Sequence, residues 1–271
     1  MIVTQLAANR PGAAARLFAA LILCAASVAA VAAPSKIPRT ADGKPDLSGI
    51  WKTLDNVDYD LEPHPARQDA PPGRGVVEGG KIPYQPWALE QRQKNFANRV
   101  ELDPRNQCFV LGTPRAQYGG EPFQILQRGR DITLLYQFTH QTRTIHTNGT
   151  LHPEGENLLF WFGDSRGHWE GDTLVVDVTH FNDQPWFDRA GNFHSEDLHV
   201  VERWKPLGPD HIEYRATIED PNVFTRPWTL NVILYRHKEQ NFQLIENYCH
   251  TLEYGDDYPY RRDDAAEKGR Q

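Results

Sequence analysis

The chain reads as an all-β protein, an antiparallel β-barrel with one short helix before it, and three observations carry that reading. From Phe123 onward, short alternating or apolar runs return roughly every ten positions, broken by Gly, Asn, Asp and Pro. No helical pattern separates these runs, whereas parallel strands need long crossovers, so hairpins in an antiparallel sheet remain. The stretch GHWEGDTLVVDVTHFND, from Gly167 to Asp183, shows the unit in miniature: a tight Glu170-Gly171-Asp172 turn joins an aromatic strand to an alternating one.

The first 32 residues carry Arg10 and Arg16 ahead of an apolar, Ala-rich run from Leu17 to Val31 that closes on Ala30-Val31-Ala32. That pattern is a secretory leader cleaved after Ala32, too short and too Ala-rich for a membrane span. Leu23 is bulkier than the residue that lipid attachment requires before a cysteine, so Cys24 belongs to the leader. Residues 33–122 form an extended segment with a first strand and one helix. Its first strand falls on the apolar knot Leu47-Ser48-Gly49-Ile50-Trp51, and the Pro- and Gly-rich stretch from Pro63 to Gly80 reads as loop. Pro86 to Phe96 places Pro at a first helical position, then good helix formers with Glu90 four before Lys94. Its apolar stripe, Leu89, Phe96 and Val100, is thin, which predicts a helix on the outside of the sheet.

Nine strand-like runs follow: FQILQR, ITLLYQF, TRTIHT, LLFWFG, TLVVDVTHF, LHVVERW, HIEYRATI, WTLNVILYR and FQLIENY. They place the barrel at 123–257, in one domain with the segment before it, and leave 258–271 as a frayed tail.

The formal charge is −7, and removal of the leader takes away two arginines and no acid, giving −9. An acidic chain with scattered Arg lacks the basic face that nucleic acid requires. Nothing after the leader signals a membrane anchor, and no motif calls for a cofactor or a metal. Cys108 and Cys249 are the two cysteines left after cleavage, and in an oxidising compartment they predict one structural disulfide.

Three blocks, HWEGDTLVVDVTHFND, WFDRAGNFHSEDLHVVERW and EDPNVFTRPWT, together with the upstream helix and DPRNQC, resemble a widespread family of secreted bacterial proteins of uncharacterised function. Gly49-x-Trp51 resembles the opening of lipocalin-type barrels, in which a Trp of the first strand plugs one end. The resemblance implies a secreted, mostly β protein of lipocalin-like shape and transfers no catalytic residue.

Several patterns bear on chemistry. Gly163-x-Ser165-x-Gly167 matches a hydrolase elbow, but strand rather than helix follows it, so it reads as a Gly-flanked turn. His140, His146 and His152 are evenly spaced. Asn148-Gly149 predicts a hairpin between the last two, which turns them to opposite faces and excludes a shared metal. His194 and His199 bracket HSEDLH, and Gly191 lets His194 curl over the sheet end. Period two puts Asp177 with Val175 and Phe181, and Glu202 with Val200, Trp204 and Leu198. A carboxylate on such an apolar face needs a partner, for Glu202 a His or an Arg such as Arg215 or Arg236. Trp186, beside Pro185 and Phe187, marks an aromatic loop suited to a ligand.

These readings converge on a secreted or periplasmic barrel that holds a small, partly apolar molecule in its interior, with the Asp183 to His199 loop at the mouth and Asp183, Trp186 and Ser195 against the ligand. The alternative is an enzyme, a lyase, isomerase or hydrolase, that uses Asp177, His194, His199 and Glu202 as acid and base.

Overall fold

The computed structural model describes residues 36–155, 158–247 and 249. The expected leader at 1–32 and tail at 258–271 lie outside the described residues. Nine strands close a barrel in chain order: β1 (Gly49–Thr53), β2 (Phe123–Arg128), β3 (Asp131–Tyr136), β4 (Thr142–His146), β5 (Asp164–Glu170), β6 (Thr173–Thr179), β7 (His199–Pro206), β8 (His211–Glu219) and β9 (Trp228–Arg236). β9 pairs back onto β1, so no edge is left open.

All pairings are antiparallel except β4 with β5, which is parallel. This corrects the expected hairpin at Asn148-Gly149. A parallel neighbour must be reached by a return crossover, and the described residues between His146 and Asp164 make that return without forming a strand. The expected strand LLFWFG lies within it; only Phe160 bridges, to Phe181, and Leu158, Leu159 and Phe160 remain exposed. Likewise, among the described residues of FQLIENY a single bridge forms, Asn247 to Phe138. The barrel also begins earlier than expected, because β1 of the N-terminal segment closes it.

The inward faces are mostly apolar and are filled. Trp51, Phe123, Ile125, Leu134, Val176, Trp204, Tyr214 and Leu230 are each at most 1% exposed. A cavity wide enough for a small molecule would leave accessible surface on its walls, and these walls have almost none. The hollow interior expected from the sequence is therefore a packed core. Gly49 lets Arg236 cross the barrel seam: a Cβ there would stand 2.0 Å from the guanidinium, which lies over the Trp51 ring at 4.2 Å.

The two barrel ends differ. One carries the β2–β3, β5–β6 and β7–β8 turns and is crossed by a strap, residues 36–47. Arg39 grips Asp172 with two hydrogen bonds of 2.6 and 2.8 Å, and the Gln127 amide accepts from Leu47 N and donates to the Pro45 carbonyl. The other end is sealed by a cap of the 3-10 turns Val57–Tyr59 and Arg115–Gln117, helix α1 (Pro86–Ala97), helix α2 (Arg99–Leu102) and residues 180–198. α1 lies outside the sheet, as expected, but docks through Ala88 and Asn95 rather than its apolar stripe. The Asn95 amide donates to the Gly191 carbonyl, and Gly191 has φ +81° with no room for a Cβ, which would meet Asn95 at 2.5 Å. Phe96 instead carries the guanidiniums of Arg67, Arg92 and Arg99 over its ring. No helix among the described residues is long and apolar enough to cross a membrane.

Cys108 and Cys249 are bonded, with Cα atoms 5.4 Å apart across 141 residues. Replacing both with Ser is expected to cost about 2–4 kcal/mol through the freed unfolded chain. Urea unfolding with and without reductant checks this, and an unchanged midpoint on reduction would refute it.

Candidate functional site

Two of the four residues expected to carry acid–base chemistry meet on the outer wall. The ladder pairs Asp164 with Thr179 and His199 with Glu219, and Val178 with Val200 sets Thr179 beside His199. One outward row therefore runs Asp164, Thr179, His199, Glu219, with Asp177 in the next row. His199 Nε2 lies 2.8 Å from Asp177 Oδ2. The crossover then lays His152 between two carboxylates, with Nε2 2.8 Å from Asp177 Oδ1 and Nδ1 2.7 Å from Asp164 Oδ1.

The result is a chain of alternating carboxylates and imidazoles, Asp164, His152, Asp177, His199, which ends 3.8 Å from Glu219. Both nitrogens of His152 face acceptors, so the ring satisfies both only when it carries two protons. Burial raises the Asp177 carboxyl, but hydrogen bonds to His199 and His152 outweigh it and hold the group below its usual range. Asp164 is likewise lowered: burial opposes, and Arg166 and His152 prevail. His180, which bonds Thr179 Oγ1 through Nδ1, sits at φ +61°. That left-handed residue breaks the alternation, so Phe181 turns into the core instead of sharing the Asp177 face, as period two predicted.

Glu202 points the other way. It is fully buried inside the barrel between Val200 and Trp204, and its partner is Arg143 rather than Arg215 or Arg236. Arg143 donates to Glu202 Oε1 at 3.0 Å and Oε2 at 2.6 Å and, through Nε, to Ser165 Oγ at 3.0 Å; the Tyr214 hydroxyl donates to Glu202 Oε1 at 2.7 Å. Gln117 completes the network, its amide oxygen accepting from the Tyr136 hydroxyl and from Arg143. Ser165, the centre of the G-x-S-x-G match, is thus an interior strand residue that holds Arg143. Arg215 instead pairs with Glu78 on the surface, and Arg236 serves the seam.

The loop expected at an open mouth is nailed into the cap. Phe187 is buried and packs on His194, Phe224 and Trp228. Asp188 accepts from Leu61 N, Ala190 N and Asn192 N, which ties the loop to the N-terminal segment. His194 is 3% exposed, bonded through Nδ1 to the Ser195 carbonyl, and burial lowers its pKa, which keeps the ring neutral. Ser195 donates from N and Oγ to Asp220, and Trp186 is buried; only Asp183 of the three expected ligand contacts is exposed. His194 and Glu202 therefore do not join Asp177 and His199. His140, His146 and His152 also stay apart, bonding Asn247, Asp131 and the outer-wall cluster respectively. Among the described residues no three His, Cys, Asp or Glu converge to hold a metal ion.

The strap-crossed end holds a cleft of about 600 Å³. Ile132 and Trp169 form its apolar side, Gln127, Gly129, Arg130 and Thr147 its rim, and strap residues 40–44 its far wall. Ser165, Gly167 and Trp169 alternate inward on β5, and Trp169 packs partly on the core while remaining half-buried. The sequence reading missed this site because no local pattern links the strap to turns more than eighty residues away. It missed His152 and Asp164 for the same reason.

No protein-family model, no curated protein and no solved structure matches the chain.

Proposed function

We propose that this protein binds a small, partly apolar molecule in the cleft between the strap and the barrel end. The observation that carries the reading is a cleft of about 600 Å³ with a Trp and an Ile on one wall and polar groups around them, within the usual size of small-ligand sites. The packed core makes the barrel a rigid platform, which keeps Trp169 in place without a ligand. The reading takes the protein as secreted or periplasmic, supported by the leader-like composition of residues 1–32 and by the Cys108–Cys249 disulfide. Trp169→Ala is expected to weaken binding of any ligand found by thermal-shift screening by about tenfold or more, the loss of one aromatic wall. A broad amphiphile set that shifts the wild-type melting curve nowhere would overturn the reading.

A second reading, an acid–base enzyme, is favoured by the hydrogen-bonded run from Asp164 to His199 on the outer wall. Alanine at His152 or His199 would then abolish turnover of a substrate with the melting curve nearly intact. Turnover that survives both substitutions would remove it.

A further inference from the structure

The mouth cleft carries information about its occupant beyond size. Three charged side chains line it: Lys44 on the strap, Arg130 at the β2–β3 turn, and Asp42. Asp42 already accepts the Thr40 hydroxyl. Among the described residues the Arg130 and Lys44 side chains make no hydrogen bond or ion-pair contact, in contrast to Arg39, whose two bonds to Asp172 fasten the strap alongside. The other acids of this end are already engaged: Asp131 faces His146, and Glu170 faces Arg203 and His168. Lys44 adds only a minor part, after Arg39, to the field that holds Asp172 below the usual carboxylate range.

The lining therefore sums to one positive charge beside an apolar wall. From this we infer that the occupant is a monoanionic amphiphile, a carboxylate whose headgroup meets Arg130 and Lys44 while its hydrocarbon or aromatic body lies on Trp169 and Ile132. The inference rests on the binding site proposed above and adds the charge of the ligand. Guanidinium and ammonium groups reward a carboxylate with charge-assisted hydrogen bonds, and an Arg fork matches both of its oxygens. A doubly charged phosphate would exceed the lining charge and oppose Asp42. A cationic amphiphile would meet two like charges.

The experiment compares three probes with one alkyl body, decanoate, 1-decanol and decylammonium, by isothermal titration below their aggregation limits on the full secreted chain. Decanoate is expected to bind about five- to tenfold tighter than decanol at low salt, as two solvent-exposed ion pairs allow. Decylammonium should bind weakest. The decanoate preference should shrink as salt is raised, because exposed charges are screened. The double variant Lys44→Gln with Arg130→Gln should bring decanoate to the level of decanol, while Arg128→Gln, on an exposed residue outside the cleft lining, should change nothing. Decanol or decylammonium binding as tightly as decanoate would overturn the anion inference and leave the binding site standing, as would a preference that survives the double variant. Failure of all three probes to bind would overturn both.

Discussion

Arg143→Leu is expected to lower stability by about 3–5 kcal/mol, because it leaves the Glu202 carboxylate in the barrel core with its charge uncompensated. Burial works against the Arg143 charge, yet Glu202 opposes it strongly enough to hold the guanidinium pKa above its ordinary value. The pair is thus bound as a unit, and its single deletions cost more than the pair contributes. Arg143→Leu combined with Glu202→Leu should recover much of the loss, since apolar groups of similar volume often replace a buried ion pair at little cost. Urea unfolding of the two single variants and the double closes the cycle. A single Arg143→Leu variant within about 1 kcal/mol of wild type would contradict the account, as that is the range of an exposed pair.

Arg115→Met is expected to cost a similar amount, about 3–5 kcal/mol, in the cap that adjoins this pair through Gln117. Arg115 is 1% exposed and donates to Asp103 Oδ1 and Oδ2 at 2.8 and 3.0 Å and to Asp58 Oδ1 at 2.8 Å. Arg105 and Arg189 also face Asp58, so the cap is a two-carboxylate, three-guanidinium cluster that joins the N-terminal segment to the 180–198 loop. The pH dependence separates this from ordinary loss of packing. Burial raises the Asp58 carboxyl, but Arg115 first, then Arg105 and Arg189, bring it below its unfolded value. A carboxyl lowered in the folded state stabilises above its unfolded pKa, near 4, and loses that contribution as pH falls through the folded value. Wild-type stability should therefore drop below about pH 4, and Arg115→Met should make that drop shallower, because Asp58 loses the largest of its three guanidinium partners while Arg105 and Arg189 remain. Parallel curves for the two proteins would contradict the assignment.

Much of the barrel was legible because strands announce themselves through period two. VERW already placed Glu202 inward with Val200 and Trp204, and all three are buried there. The same rule, applied to TRTIH, sets Arg143 on the face of Ile145 and so offers the inward guanidinium that Glu202 needs; both are buried. Asp177 and His199 were candidates by residue type alone, and the β6–β7 register brought them to 2.8 Å. His194 looked equivalent on spacing, but the Phe181 and Phe187 rings enclose it in the cap.

By itself the sequence determined most of the inward faces, where α1 lies and which cysteines pair, because these follow from short-range periodicity, from helix-start chemistry and from Cys108 and Cys249 being the two cysteines outside the expected leader. The tertiary structure alone decided that β4 and β5 run parallel, that the interior is filled, and that the open end lies under the strap rather than under the 183–199 loop. Those outcomes depend on contacts such as Arg39 with Asp172, 133 residues apart, and Leu61 with Asp188, 127 apart. Such contacts form only once the whole chain has closed, and no local pattern of side chains encodes their distance.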